Sequence, residues 1–103
     1  MILHIAAFRW KDDVTEADVT ALTEALLTMA AGIPELRSYV AAPNLHLRPA
    51  GFDYGVAAVV DDQAGLDAYL DSPEHLAAYE NFIGRMLAER AAVQLPIAEG
   101  SLR

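Results

Sequence analysis

The sequence contains no cysteine, which excludes disulfides, thiolate catalysis and cysteine-ligated metals. Positive charge is scarce: seven Lys and Arg stand against fifteen Asp and Glu, a formal net charge of −8. No basic stripe is available to displace counterions from a phosphate backbone, so nucleic acid is not an expected partner. The acidity is otherwise the net charge that keeps a small protein soluble. No stretch approaches the roughly 20 consecutive apolar residues of a membrane span, so no membrane partner is expected either. The N-terminus starts straight into an apolar strand, without the charged region and cleavage site of a signal peptide. A cytoplasmic location is the expectation. Three histidines are present, His4, His46 and His75, and none are paired at helical spacing, so no metal site is expected. No glycine-rich phosphate loop follows a strand, no Ser-His-Asp order is present, and no cofactor is expected.

What remains is 103 residues with 54% hydrophobic content, enough for a single domain over residues 1–103 with one core. Residues 2 to 10 read as a strand, broken by Lys11, Asp12 and Asp13. Thr15 to Asp18 forms a capping box with Asp in place of Glu and opens a helix. Its buried stripe is Val19, Leu22, Leu26 and Met29, and Gly32 and Pro34 stop it. A second strand follows over Arg37 to Ala42, and a polar, proline-containing connection over Asn44 to Gly51. Phe52 to Val60 forms a third strand, and the nearly continuous apolar run Val56 to Val60 within it points to burial on both faces.

Asp61-Asp62-Gln63 opens a short helix through Tyr69 and Leu70. Ser72-Pro73-Glu74 starts the next one, with serine as N-cap, proline at the first helical position and an acid in the first turn. Leu76, Tyr79, Phe82, Ile83 and Met86 lie on its apolar side, and Ala91 to Ile97 is the last strand. His4 to Asp12 loosely resembles Tyr54 to Asp62 at an offset of about fifty, which agrees with two βαβ halves. The expected fold class is α+β: a ferredoxin-like βαββαβ monomer, its antiparallel sheet covered by helices on one face. The bare face argues for a homodimer, two sheets packed face to face into a dimeric α/β barrel.

At Tyr69-Leu70-Asp71-Ser72-Pro73-Glu74-His75 the chain resembles the Dabb family, the stress-responsive A/B barrel domains, whose usual pattern here is Tyr-x-x-His-Pro-x-His. His4 in the first strand, the helix start over Lys11 to Glu16 and the turn over Ile33 to Leu36 extend the resemblance along nearly the whole chain. It implies the dimeric barrel and, through the polyketide cyclases of that family, an intramolecular aldol condensation. By motif, His75 is the base and Tyr69 its assisting tyrosine, while His4 matches a pocket histidine. Tyr54 stands where the cyclase has another pocket histidine, and Ser72 replaces the first histidine of the pattern.

The chemistry suits these residue types. Histidine is a base near neutral pH, and tyrosine is a neutral donor for a developing enolate in an apolar pocket. The break between Tyr69 and His75 lets both turn toward one cleft. His4 and Phe8 share one strand face, Tyr54 lies on a face of another strand, and Leu26 and Met86 line the pocket if a cavity exists. The same residues have plainer roles: His75 can bond the local backbone, Tyr69 and Tyr54 can be core aromatics, His4 a half-buried strand histidine, and His46 a solvated loop residue. Three readings stand: a cofactor-free cyclase or lyase on a small, polyketide-like carbonyl compound; a non-catalytic dimer, stress-associated or holding a small apolar ligand; and, by fold analogy, a cofactor-free monooxygenase or isomerase.

Overall fold

The computed structural model describes residues 1–48 and 51–101; positions 49 and 50 of the expected connection and the last two residues of the expected domain lie outside them. The elements run β1 (Ile2–Trp10), α1 (Glu16–Ala31), β2 (Ser38–Pro43), β3 (Tyr54–Val60), α2 (Gln63–Leu70), α3 (Pro73–Ala78), a π-helical turn (Tyr79–Ile83), α4 (Gly84–Met86) and β4 (Leu87–Pro96). The four strands form one sheet in the order β2-β3-β1-β4, with each neighbouring pair antiparallel. This is the ferredoxin-like arrangement, with β1 and β3 in the centre.

Local signals place the helices as expected. Thr15 and Asp18 form the full capping box of α1, and Asp62 accepts from the Gly65 N–H to start α2. Leu22, Leu26 and Met29 are buried beneath α1, whereas Val19 stays half-buried. They meet the inner face of the sheet, where Ala6, Phe8, Ala41, Val56 and Ala58 are buried by the period-two alternation of the strands.

Four expectations are corrected. Strand β2 begins at Ser38 rather than Arg37, although the Arg37 N–H already bonds the Val59 carbonyl at 2.8 Å and its side chain pairs with Asp61. Strand β3 begins at Tyr54 rather than Phe52, because Phe52 and Asp53 instead bond Asn44 through their carbonyls. The helix after Pro73 is not one continuous amphipathic element. It widens into the π turn where the Gly84 N–H reaches the Tyr79 carbonyl; a Cβ at Gly84 would lie 3.2 Å from that oxygen. Ile83 and Met86 are buried, but Leu76 and Tyr79 are exposed. Strand β4 begins at Leu87 rather than Ala91, since Leu87 already pairs with Trp10 across a bulge at Ala88 in β4.

Among the described residues no helix covers the outer face of the sheet. Val40, Ala57, Ile5 and Val93 line up in one row across all four strands, and Val40 and Val93 are 58% and 52% exposed. Such a contiguous apolar row on water is the signature of an interaction surface.

At the end of the inner face remote from His4, Phe8, Trp10 and Tyr54 cluster with ring centroids 5.6–6.3 Å apart. Tyr54 is 1% exposed. Its hydroxyl lies 2.7 Å from Thr23 Oγ1, which itself donates to the Val19 carbonyl, so Tyr54 is the donor. Tyr54→Phe is expected to cost about 1 kcal/mol of stability through this lost hydrogen bond. Urea unfolding of the two proteins measures the difference.

Candidate functional site

Strand register assembles the floor of the site. Tyr39, Ala58, His4 and Gln94 occupy one row across the inner face, from β2 through β3 and β1 to β4. Ala58 is the small member of the row and leaves space between Tyr39 and His4. Two rows along, Phe8 pairs with Arg90, which places Arg90 on the same inner face.

The lid comes from the break between α2 and α3. Ser72 donates through Oγ to the Tyr69 carbonyl at 2.8 Å and accepts from the His75 N–H at 3.1 Å. One serine thus closes the first helix and caps the second, and it holds Tyr69 and His75 in a fixed relation. Their rings meet edge-on with centroids 5.1 Å apart. Tyr69 also meets His4 and Tyr39 edge-on, each at 6.2 Å, so it is the common neighbour of all three. Serine at position 72, where the resemblance implies a histidine, makes both of these hydrogen bonds itself.

Between floor and lid lies a cavity of about 250 Å³. A cavity of about 150 Å³ holds benzene, so this one admits a substituted ring or its equivalent. Of the residues expected from the sequence, His4, Phe8, Leu26, Tyr69 and His75 line it. Tyr54 and Met86 do not, which corrects their expected placement. Antiparallel pairing sets Tyr54 opposite Phe8, four residues along β1 from His4, and Met86 is 1% exposed within the packed core. Tyr39, Tyr79 and Arg90 also line the cavity and were not among the expected residues. The register of β2 on β3 carries the signal for Tyr39; Arg90 was hidden by the late expected start of β4. A larger groove of about 600 Å³ beside Trp10, Lys11 and Asp53 is open to solvent and contains no buried titratable side chain.

The site is electrostatically unusual. His4 is 3% exposed, and its Nδ1 lies 2.9 Å from Gln94 Nε2. With the amide nitrogen facing the ring, Nδ1 accepts and the proton sits on Nε2, which makes neutral His4 a donor. Burial lowers the His4 pKa, and the positive charges of Arg90 and of a protonated His75 lower it further. Burial also lowers that of His75; the nearby Leu70 carbonyl opposes this, Arg90 reinforces it, and Asp71 opposes it. Both imidazoles are therefore held neutral at pH 7. The His75 Nδ1 and the Tyr39 hydroxyl are buried with no hydrogen-bond partner, although Tyr39 and Tyr69 lie close enough for their hydroxyls to influence each other. Burial raises the pKa of Tyr69, which stays a neutral donor.

Among the described residues no group of three or more His, Asp or Glu is placed to hold a metal ion, and no helix is long and apolar enough to cross a membrane. His46 sits exposed in a loop at φ 54° with its backbone N–H on the Asn44 side chain.

The sequence profile of the stress-responsive A/B barrel domain, Dabb, matches residues 2–96. The chain belongs to this family. An uncharacterized protein of Streptomyces coelicolor is 35% identical to it over 79 residues, 75% of this chain and 81% of that one. A crystal structure of a dimeric ferredoxin-like protein of unknown function from Thermobifida fusca superposes with a TM-score of 0.86 at 43% identity, covering 93% of this chain and 90% of that one. A hydroxynitrile lyase from Passiflora edulis shares the fold at a TM-score of 0.81 and 17% identity, covering 95% and 94% of the two chains.

The two depressed histidines of this Dabb protein make its stability depend on pH. Below about pH 6.5 the unfolded chain takes up protons that the folded chain does not, so stability falls as pH drops from 7.5 toward 5.5. The hydrogen-bonded carboxylates Asp18 and Asp61 titrate below the ordinary carboxylate range and do not contribute in that window. Urea midpoints across this range are expected to decline for the wild type and to flatten in a His4→Asn, His75→Gln double variant.

Proposed function

We propose that the protein works as a cytoplasmic homodimer whose cleft binds a small, largely apolar carbonyl compound. There it removes a proton next to the carbonyl without a cofactor, as an aldol-type cyclase or lyase on a polyketide-like substrate. The observation that carries this reading is the convergence of His75, Tyr69 and His4 on one apolar cavity, with the buried His75 Nδ1 lacking a partner.

In that arrangement Nδ1 takes the proton from carbon, and the electron pair moves onto the carbonyl oxygen. The Tyr69 hydroxyl and the His4 Nε2–H are neutral donors for the resulting enolate. A buried, neutral base needs no prior deprotonation at pH 7. Burial in an apolar cavity also strengthens each hydrogen bond to the developing charge. The same fold carries a hydroxynitrile lyase in Passiflora edulis, which supports its capacity to host catalysis.

Dimerisation is supported by the bare outer row of Val40, Ala57, Ile5 and Val93, and by the dimeric Thermobifida fusca relative. Light scattering at micromolar concentration is expected to give twice the 11.1 kDa chain mass. Val93→Glu, which places a charge in that row, is expected to return it to one chain mass. A monomeric wild type would remove the dimer from the account.

One observation favours a second reading, binding without catalysis. The partner of His4 is the neutral Gln94, and no carboxylate bonds His75, so little stabilises an imidazolium once formed. Proton exchange separates the two. In deuterated buffer, NMR is expected to show enzyme-dependent loss of the protons next to the carbonyl in small aryl ketones or 2-oxo acids. His75→Gln is expected to slow that exchange by about 10²-fold or more. Ligand-induced shifts without exchange in the wild type establish the binding reading instead.

A further inference from the structure

We infer that Arg90 makes the cleft selective for an anionic ligand, a small carboxylate with an apolar body. The inference rests on the cleft reading proposed above and names the class of compound that the cleft takes.

Three observations lead to it. Arg90 lines the same cavity as His4, Tyr69 and His75, on the inner face of β4 and opposite Phe8. Its guanidinium has no ion pair or hydrogen bond among the described residues, in contrast to Arg9 and Arg37, which hold Glu89 and Asp61. A chain with fifteen acidic residues thus leaves a cation uncompensated at the cavity lined by the buried His4 and the half-buried His75. Such a cation raises the energy of any further positive charge nearby, and its field reaches both imidazoles and Tyr69. An anion at the cavity mouth relieves this.

The remaining polar atoms agree with a carboxylate on an oxygenated ring or chain. Tyr39 and His75 line the cavity, and their Oη and Nδ1 atoms are buried without a hydrogen-bond partner, so both residues can serve a carbonyl or hydroxyl further along the ligand. Phe8, Leu26, Val56 and Ile83 contact the apolar body. With about 250 Å³ available, the ligand is the size of a substituted benzoate or a short oxo acid. Guanidinium matches a carboxylate with two parallel N–H donors, a geometry a neutral amide does not reproduce.

Benzoate and benzamide provide the test, since they share shape and size and differ in charge. Titrating each into the ¹⁵N-labelled protein at neutral pH and low salt is expected to shift cleft amides, with benzoate binding about tenfold or more tightly. Arg90→Gln, an exposed position whose change leaves the core intact, is expected to abolish that preference while benzamide binding is retained. Arg85→Gln, outside the cavity lining, is expected to leave the preference unchanged. Equal binding of the two probes to the wild type overturns the inference but leaves the cleft reading standing. So does a preference that survives in Arg90→Gln or disappears equally in Arg85→Gln. If neither probe shifts a cleft amide, the cleft reading fails and the inference falls with it.

Discussion

Strand β1 lies at the centre of the sheet, and its two-residue alternation is the constraint on which everything else rests. Even-numbered positions His4, Ala6 and Phe8 face the helices; odd-numbered Leu3, Ile5 and Ala7 face away. A one-residue slip would send His4 outward and bring Ile5 into the cleft, so register and site are specified together. The hydrophobic demand of both faces holds that register. The inner face is satisfied by α1 and the α2–α3 segment, whereas the outer face retains its apolar row. That imbalance is the physical reason a second copy is the expected cover, and the dimeric Thermobifida fusca relative fits it.

The site is a by-product of two ordinary structural devices meeting. One is a small residue, Ala58, in a row otherwise carrying Tyr39, His4 and Gln94. The other is a helix break stitched by Ser72, which sets the rings of Tyr69 and His75 at a defined edge-on angle of 75°. Neither device is costly to the fold, since the break is capped and the aromatic contacts remain favourable. The cost falls on the polar atoms. A buried imidazole nitrogen and a buried hydroxyl without partners each carry a desolvation penalty on the order of 1–3 kcal/mol. A ligand that supplies their partners recovers that penalty on binding. Arg90 adds a charge to the same cavity without neutralising either group.

Much of this was legible in the chain itself. Thr15 with Asp18, and Ser72 with Pro73, are local signals whose hydrogen bonds close within a few residues, so they mark the helix starts accurately. The alternation in β1 located His4 and Phe8, and the Tyr69 to His75 spacing located the lid. What was not legible depends on pairing across the chain. The π turn arises from the approach of Gly84 to Tyr79 and has no breaker to announce it. Met86 and Leu87 pass from helix to strand without a turn residue, so the start of β4 and the inward side of Arg90 and Gln94 emerge only from pairing with β1. Tyr54 was misplaced for the same reason. The family resemblance set it at a pocket position, but antiparallel pairing puts it opposite Phe8, at the far end of the face from His4.

The central claim is that the cleft holds two neutral imidazoles, one a fixed donor and the other a free base. Nitrogen-15 chemical shifts of the histidine rings, followed through a pH titration, report protonation and tautomer directly. The account predicts that His4 is neutral at pH 7 with its proton on Nε2, and that His75 is neutral there and titrates below 6.5, the ordinary histidine value. Finding either ring positively charged at pH 7 would contradict it.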